Sequence, residues 1–259
     1  MPLRYCDWVS GCIHEENHDK RYSRIYINGV NEGSCCTRNQ PFDQSVDPNG
    51  NNHMTKVQKY FPQLLLAAYI FVFVALGIAP PSGREVWLAE NLPICFIVLV
   101  LVILYRRMRF SNLSYFLMSF LIFMHTVGGY YTFAAVPFDW FTGFFGFERN
   151  HYDRIAHFSV GFYAFAIAEW LTAKALTNSR VVTYLFALFA IMSLAATYEV
   201  MEWQFAILGN PEAGAEVLGS QGDVWDAQKD IVADTLGAIF ALVLFHVLRG
   251  RGETQLRQT

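Results

Sequence analysis

Carboxylates and histidines set within apolar sequence are the residues of this chain that could do chemistry. Asp153 lies four residues before His157 and Glu199 three before Glu202, while Asp223, Asp226, Asp230 and Asp234 recur at helical spacing. A charged side chain at the centre of a membrane helix costs about 2.5–3.5 kcal/mol on insertion scales, so such groups face the protein interior and carry function. At 100° per residue the four aspartates fall within an arc of roughly 80°, and each of the two pairs shares one helix face. Carboxylates gathered this closely cannot all stay ionised without a counter-charge. Protons, a base such as Arg154 or Lys229, or a bound cation must supply it. Carboxylates with one imidazole suit Mg²⁺, Mn²⁺ or Zn²⁺, and the lack of a thiolate favours the harder metals. The candidate ligands are His157, Glu199, Glu202, Asp226 and Asp230; His157, Glu199 and Glu202 are also the candidate acid–base groups. Asp153, Arg154, His125 and Tyr131 are further polar residues of the same region.

Structural roles compete for several of these residues. Asp223, after Gln221-Gly222, suits a helix N-cap, and Asp226 in the first turn complements the helix dipole. Asp153 with Arg154, and Asp230 with Lys229, fit interfacial ion pairs. His125 and His157 each suit a hydrogen-bonded structural place as well as a ligand role. Glu199 and Glu202 have less structural excuse, because two acids one turn apart inside a span are costly.

The elements that must position these groups are membrane helices. The chain is 54% hydrophobic with a mean hydropathy of +0.26, and its apolar residues fall in long blocks. Six segments approach the ~20 residues that span a bilayer, at about 61–79, 91–106, 113–133, 154–175, 181–207 and 228–248. The second is short and needs its flanks. The fold expected is an all-α polytopic membrane helix bundle. Lys56, Lys59, Arg106, Arg107, Arg109, Lys174, Arg180, Arg249, Arg251 and Arg257 crowd alternate loops, which places both termini in the cytoplasm. Spans four, five and six then deliver their acids to one depth near the outer boundary. Trp87, Trp140, Trp203 and Trp225 fall on that outer side as an aromatic belt. The Phe-rich loop 138–147 is apolar enough to lie in the interface or form a lid, and Gly128-Gly129 permits close helix approach or local unwinding. Glu169 and His246, toward the inner ends, can snorkel.

Residues 1–53 differ in kind: polar, without sustained helical or strand period, they read as a loop or disordered tail. Met54 followed by Thr-Lys-Val-Gln-Lys looks like a natural start, which would leave 54–250 as the membrane domain and 251–259 as a cytoplasmic tail. The spacing of Cys6, Cys12, His14, His18 and Cys35 fits none of the usual zinc patterns. A net charge of -3 without a basic stripe excludes a nucleic-acid partner and leaves membrane lipids. There is no His-Glu-x-x-His helix, no Gly-x-Ser-x-Gly elbow and no P-loop. Cys95 lies far from the acids, so serine or cysteine nucleophile chemistry has no support.

Several runs carry a family resemblance. Glu148-Arg149-Asn150-His151-Tyr152-Asp153-Arg154 continuing to His157-Phe158, Tyr198-Glu199-x-x-Glu202-Trp203, Leu218-Gly219-Ser220-Gln221-Gly222-Asp223-Val224-Trp225-Asp226-Ala227-Gln228-Lys229-Asp230, and His125-x-x-Gly128-Gly129-Tyr130-Tyr131 occur in order. Together they resemble the YjdF-type family of bacterial inner-membrane proteins over about 54–248. The resemblance implies a multi-span membrane fold in the inner membrane and no particular reaction. Where this chain has Tyr130 the family often has a histidine, an acid at Asp234 is not required by its pattern, which ranks that residue below Asp226 and Asp230, and residues 1–53 have no counterpart. More distantly, the Asp-x-x-x-His and intramembrane Glu arrangement is similar to VanZ-type proteins, which implies envelope chemistry by analogy only. The expected function is a metal-dependent enzyme acting on an envelope lipid or lipid-linked phosphate. A cation- or proton-coupled transporter and a non-catalytic structural or sensor protein are the alternatives.

Overall fold

The computed structural model describes residues 4–7, 12–15, 24–26, 56–208 and 220–256, in two units, Met1–Pro41 and Phe42–Thr259. In the first, strands β1 (Arg4–Asp7), β2 (Cys12–Glu15) and β3 (Arg24–Tyr26) form an antiparallel sheet in that order. Arg4 stands opposite Glu15, and Ile13 opposite Tyr26. Strands this short leave too few alternations to register as a sequence period. The remaining expectations for residues 1–53, including the start at Met54, and those for 257–259 lie outside the described residues.

Among its described residues the second unit is helical: α1 (Lys56–Gly77), α2 (Arg84–Tyr105), α3 (Asn112–Tyr131), α4 (Asp139–Phe145), α5 (Tyr152–Val160), α6 (Tyr163–Ala173), α7 (Arg180–Leu208) and α8 (Asp226–Leu256). α5 and α6 run on as one apolar segment, so six segments are long and apolar enough to cross a membrane: 57–77, 84–105, 112–131, 152–173, 180–208 and 226–249. The all-α polytopic bundle expected from the sequence is the one observed. The second span is longer than its apolar run because the polar turns before it are also helical. Asn91 is buried there, and its Nδ2 donates to Trp87 O at 2.9 Å. Pro93 lies inside α2 and brings no N–H for Ala89 O. In the turn before it, His125 Nε2 on α3 meets Glu90 O at 2.9 Å.

Each end of the bundle is tied across by hydrogen bonds. At one, Asn112 Nδ2 donates to Gln58 O (2.8 Å), Gln63 Nε2 to Tyr105 OH (2.6 Å) and Arg249 Nη1 to Thr172 Oγ1 (2.7 Å). This end also carries Lys59, Arg106, Arg107, Arg109, Lys174 and Arg180 and is termed the basic end. At the opposite end Ser82 Oγ donates to Gly129 O (2.7 Å) and Asn150 Nδ2 to Val136 O (2.7 Å). Asn150 and Gln221 exchange a pair of bonds, each 2.9 Å. Between the ends, Leu117, Phe165, Ala168, Ala187, Ile191, Ala238 and Ala241 form a buried apolar core, whose alanines let α6, α7 and α8 close on one another.

Two expectations are corrected here. Glu169 does not snorkel; it is buried at the start of α3. Its carboxylate accepts from Ser111 N (2.8 Å), Ser111 Oγ (3.1 Å) and Ser114 Oγ. Those donors and the positive end of the helix dipole replace water. Glu169→Ala should lower stability by about 1–2 kcal/mol, measured as the denaturation midpoint in detergent, whereas Glu169→Gln keeps the acceptor and should lose less. Trp87 is likewise not an interface tryptophan. It is 5% exposed, packs at a tilt against Phe73 with ring centroids 4.6 Å apart, and lies against Gly77, whose missing side chain makes room for the indole. Trp140, Trp203 and Trp225 are exposed at the end opposite the basic one.

Candidate functional site

α5 and α8 cross backbone to backbone where α5 gives way to α6. A Cβ on Gly161 would run into the backbone of Asp234, Gly237 and Ala238, and one on Gly237 would run into the Phe158 carbonyl. This approach seats His157 of α5 against the aspartates of α8. His157 Nδ1 lies 3.4 Å from Asp234 Oδ2, while Nε2 lies 3.8 Å from Asp153 Oδ1 and 3.8 Å from Asp230 Oδ1. Ligand atoms of Asp153, His157 and Asp230 all fall within 4.8 Å of one another. With a single proton, on Nδ1 toward Asp234, the ring would present Nε2 as a lone pair; doubly protonated, it would donate toward all three carboxylates. The singly protonated form has the second-shell arrangement of metal-ligating histidines, and in it the lone pair faces two further carboxylate oxygens.

Toward the end of the bundle opposite the basic one, the acids beside this triad are met by bases. Arg154 pairs with Asp226 and Asp230 and also donates to Asp226 O at 3.1 Å. Arg149 reaches Asp223 at 2.8 Å and Asp226 at 3.2 Å, and Lys229 Nζ donates to Asp223 Oδ2 at 2.7 Å. Asp223 Oδ1 accepts from Trp225 N at 3.1 Å, a turn that leads into α8. The Lys229 hydrogen bond, with help from Trp225 N–H and the charge of Arg149, holds the Asp223 carboxyl below its ordinary range. His151, at the mouth of the cluster, is lowered by burial and then by the charges of Arg149, Arg154 and Lys229, which favours its neutral form.

From its other side α7 adds two carboxyls. Glu199 is 9% exposed, its Oε1 has no hydrogen-bond partner among the described residues, and His157, Asp230, Asp234 and Asp153 are the charges acting on it. Glu202 feels Glu199, His157, Asp153 and, from α2, Glu90. The Tyr198 ring stands 6.5 Å from that of His157. Asp234 is 1% exposed and its Oδ1 also lacks a partner among the described residues. Seven carboxyls (Asp153, Glu199, Glu202, Asp223, Asp226, Asp230, Asp234) therefore face Arg149, Arg154, Lys229 and one imidazole. The negative excess needs protons or a cation.

The structure brings His157, Glu199, Glu202, Asp226, Asp230, Asp153 and Arg154 together, with Asp226 turned toward the guanidiniums rather than toward His157. His125 and Tyr131 stand apart. His125 is held on α2 by Glu90 O and packs edge-on to Phe133, and Tyr131 packs against Tyr130. α3 stays helical through Gly128-Gly129, and a Cβ on Gly129 would meet Glu90 and Asn91 of α2 at 2.9 Å, so of the two expectations for this pair close approach is the one realised. Sequence reasoning undervalued Asp234 and Arg149. The arc of α8 aspartates contained the signal for Asp234; for Arg149 the only signal was its place in the 148–154 run.

Beside the site, α4 exposes Trp140 at 69% and Phe144 at 80%. Rings link its flanks to the site loop: Phe138 to Tyr152 (5.4 Å) and Phe147 to His151 (4.3 Å).

Comparison with known proteins also points to a membrane protein. The family "Predicted membrane protein (DUF2238)" matches residues 61–251. The Inner membrane protein YjdF of Escherichia coli (strain K12) is 31% identical over 183 residues, covering 66% of this chain and 82% of the relative. No solved structure matches. With six membrane-length helices and a family match over most of its length, the chain belongs to the DUF2238 family of predicted membrane proteins.

Proposed function

We propose that the protein is a divalent-cation-dependent enzyme of the inner membrane that acts on envelope lipid or lipid-linked phosphate from the outer face. The observation that carries this reading is His157, with Nδ1 on Asp234 and Nε2 facing oxygens of both Asp153 and Asp230. In this reading Asp153, His157 and Asp230 hold the cation and Asp234 orients the ring. Glu199, whose Oε1 lacks a partner among the described residues, is the adjoining ligand or base, and Glu202 supports it. A bound cation would polarise a phosphoryl oxygen and lower the pKa of its water. Arg149 and Arg154 border the same space and suit a phosphoryl group by charge and by shape. The positive-inside rule puts the basic end in the cytoplasm, and with it both ends of the six-span domain, so the site faces outward. The inner-membrane location rests on the relative and on the six spans.

A transporter needs a polar route between the two ends. Among the described residues, what fills the space between them is the core of Leu117, Phe165, Ile191 and Ala238, which favours chemistry at one face over passage. The Arg154 ion pairs are the feature a purely structural role would also explain. Titration of chelator-treated protein with Mg²⁺, Mn²⁺ and Zn²⁺ separates the readings. One equivalent should bind, Asp153→Asn and His157→Gln should abolish binding, and Asp234→Asn should weaken it about 10–100-fold. A wild-type protein that takes up none of the three metals would refute the cation reading. Phosphate release from lipid-linked diphosphates by the metal-loaded protein, lost in the same variants, tests the reaction.

A further inference from the structure

A second site lies at the other end of the molecule. α1 and α2 both pack on α3 and meet through Trp87 with Phe73 and Gly77 near one end, Tyr69 beside Cys95 midway, and the Gln63–Tyr105 hydrogen bond near the other end. Between them stays a cleft of about 140 Å³, lined by residues including Pro62, Leu66, Tyr69, Leu101, Tyr115 and Phe123. Its walls are almost wholly apolar, and Pro62 to Tyr69 on α1 spans about 10 Å, a third of a ~30 Å hydrocarbon core. Arg106 follows the wall residue Tyr105 directly, with Arg107 and Arg109 just beyond it, and Lys59 lies one turn before the wall residue Gln63. Arg109 lies over the Tyr105 ring at 4.8 Å and Lys59 over Tyr60 at 5.6 Å. None of these four cations has a carboxylate ion pair among the described residues. A Coulombic demand at the mouth and an apolar slot behind it match the two halves of one ligand class.

We propose that this cleft holds one acyl chain of an anionic phospholipid from the leaflet at the basic end, with its phosphate headgroup on Arg106 and Arg109. Within the bilayer an apolar slot that opens sideways is filled by hydrocarbon. The charges at its mouth select an anionic headgroup over a zwitterionic one. The site is separate from the acidic cluster and does not depend on the reaction proposed there.

Native mass spectrometry of delipidated full-length protein, given phosphatidylglycerol or phosphatidylcholine of identical chains, tests this. One equivalent of phosphatidylglycerol should be retained at concentrations where phosphatidylcholine is lost. The double variant Arg106→Gln/Arg109→Gln, which removes two surface charges together with the Arg109 contact on the Tyr105 ring, should bind phosphatidylglycerol about 25-fold more weakly, at about fivefold per charge, with phosphatidylcholine unchanged. Leu66→Trp, which fills the slot, should lower retention of both lipids. Equal retention of the two lipids by the parent overturns the proposal. So does an unchanged phosphatidylglycerol affinity in the arginine variant, which reports even if the tryptophan variant fails to fold.

Discussion

Arg154→Ala should destabilise the protein by about 3–5 kcal/mol, the range for removing one partner of a buried ion pair. Arg154 is the base that Asp226 and Asp230 share, and both acids are buried. Without it each would stand in a low-dielectric site with less counter-charge, since Arg149 reaches Asp226 at 3.2 Å but is paired first with Asp223 at 2.8 Å. The check is a double-mutant cycle in detergent, read as denaturation midpoints. Adding Asp226→Asn to Arg154→Ala should recover a large share of the loss, because the orphaned charge is removed with its partner. If the two losses simply add, the pair is not the source of the effect. Because Arg154 stands next to Asp230 and not on His157, loss of cation binding in a variant that still folds would also show that the base positions Asp230.

Gly237→Val should be nearly as damaging, at about 3 kcal/mol, the upper part of the usual range for overpacking. Its first side-chain atom would land on the Phe158 carbonyl, and a backbone oxygen cannot rotate aside as a side chain can. α5 and α8 would have to separate, and that separation lengthens the His157–Asp234 and His157–Asp230 approaches. The variant should therefore lose cation affinity together with stability. Gly143→Val, at a position with open space around it, is the control and should change little. A Gly237→Val protein of parental stability and metal affinity would show that the crossing does not hold the site.

The same pair of helices shows what was legible and what was not. Six apolar blocks separated by Pro, Gly and Asn are a property of local composition, so the spans and the bundle class follow from the residues alone, as do the acids that recur at one-turn spacing on α7 and α8. Residues flanking a span were harder. α2 begins before its apolar run because Asn91 and Glu90 find partners on their own helix and on α3. Glu169 looked like a snorkelling acid because nothing near it in sequence announces that the start of α3, at Ser111 and Ser114, lies against it.

By itself, then, the sequence determined that this is a six-span helical membrane protein with an acid cluster on and beside its last three spans, because hydropathy and helical phase are local quantities. Which acid meets which base was decided by tertiary structure. His157 and Asp234 are 77 positions apart, and their contact exists because two glycines, Gly161 and Gly237, let two backbones touch. Helical phase puts Asp234 on the right face of α8; only the depth and closeness of that crossing make it the partner of the imidazole.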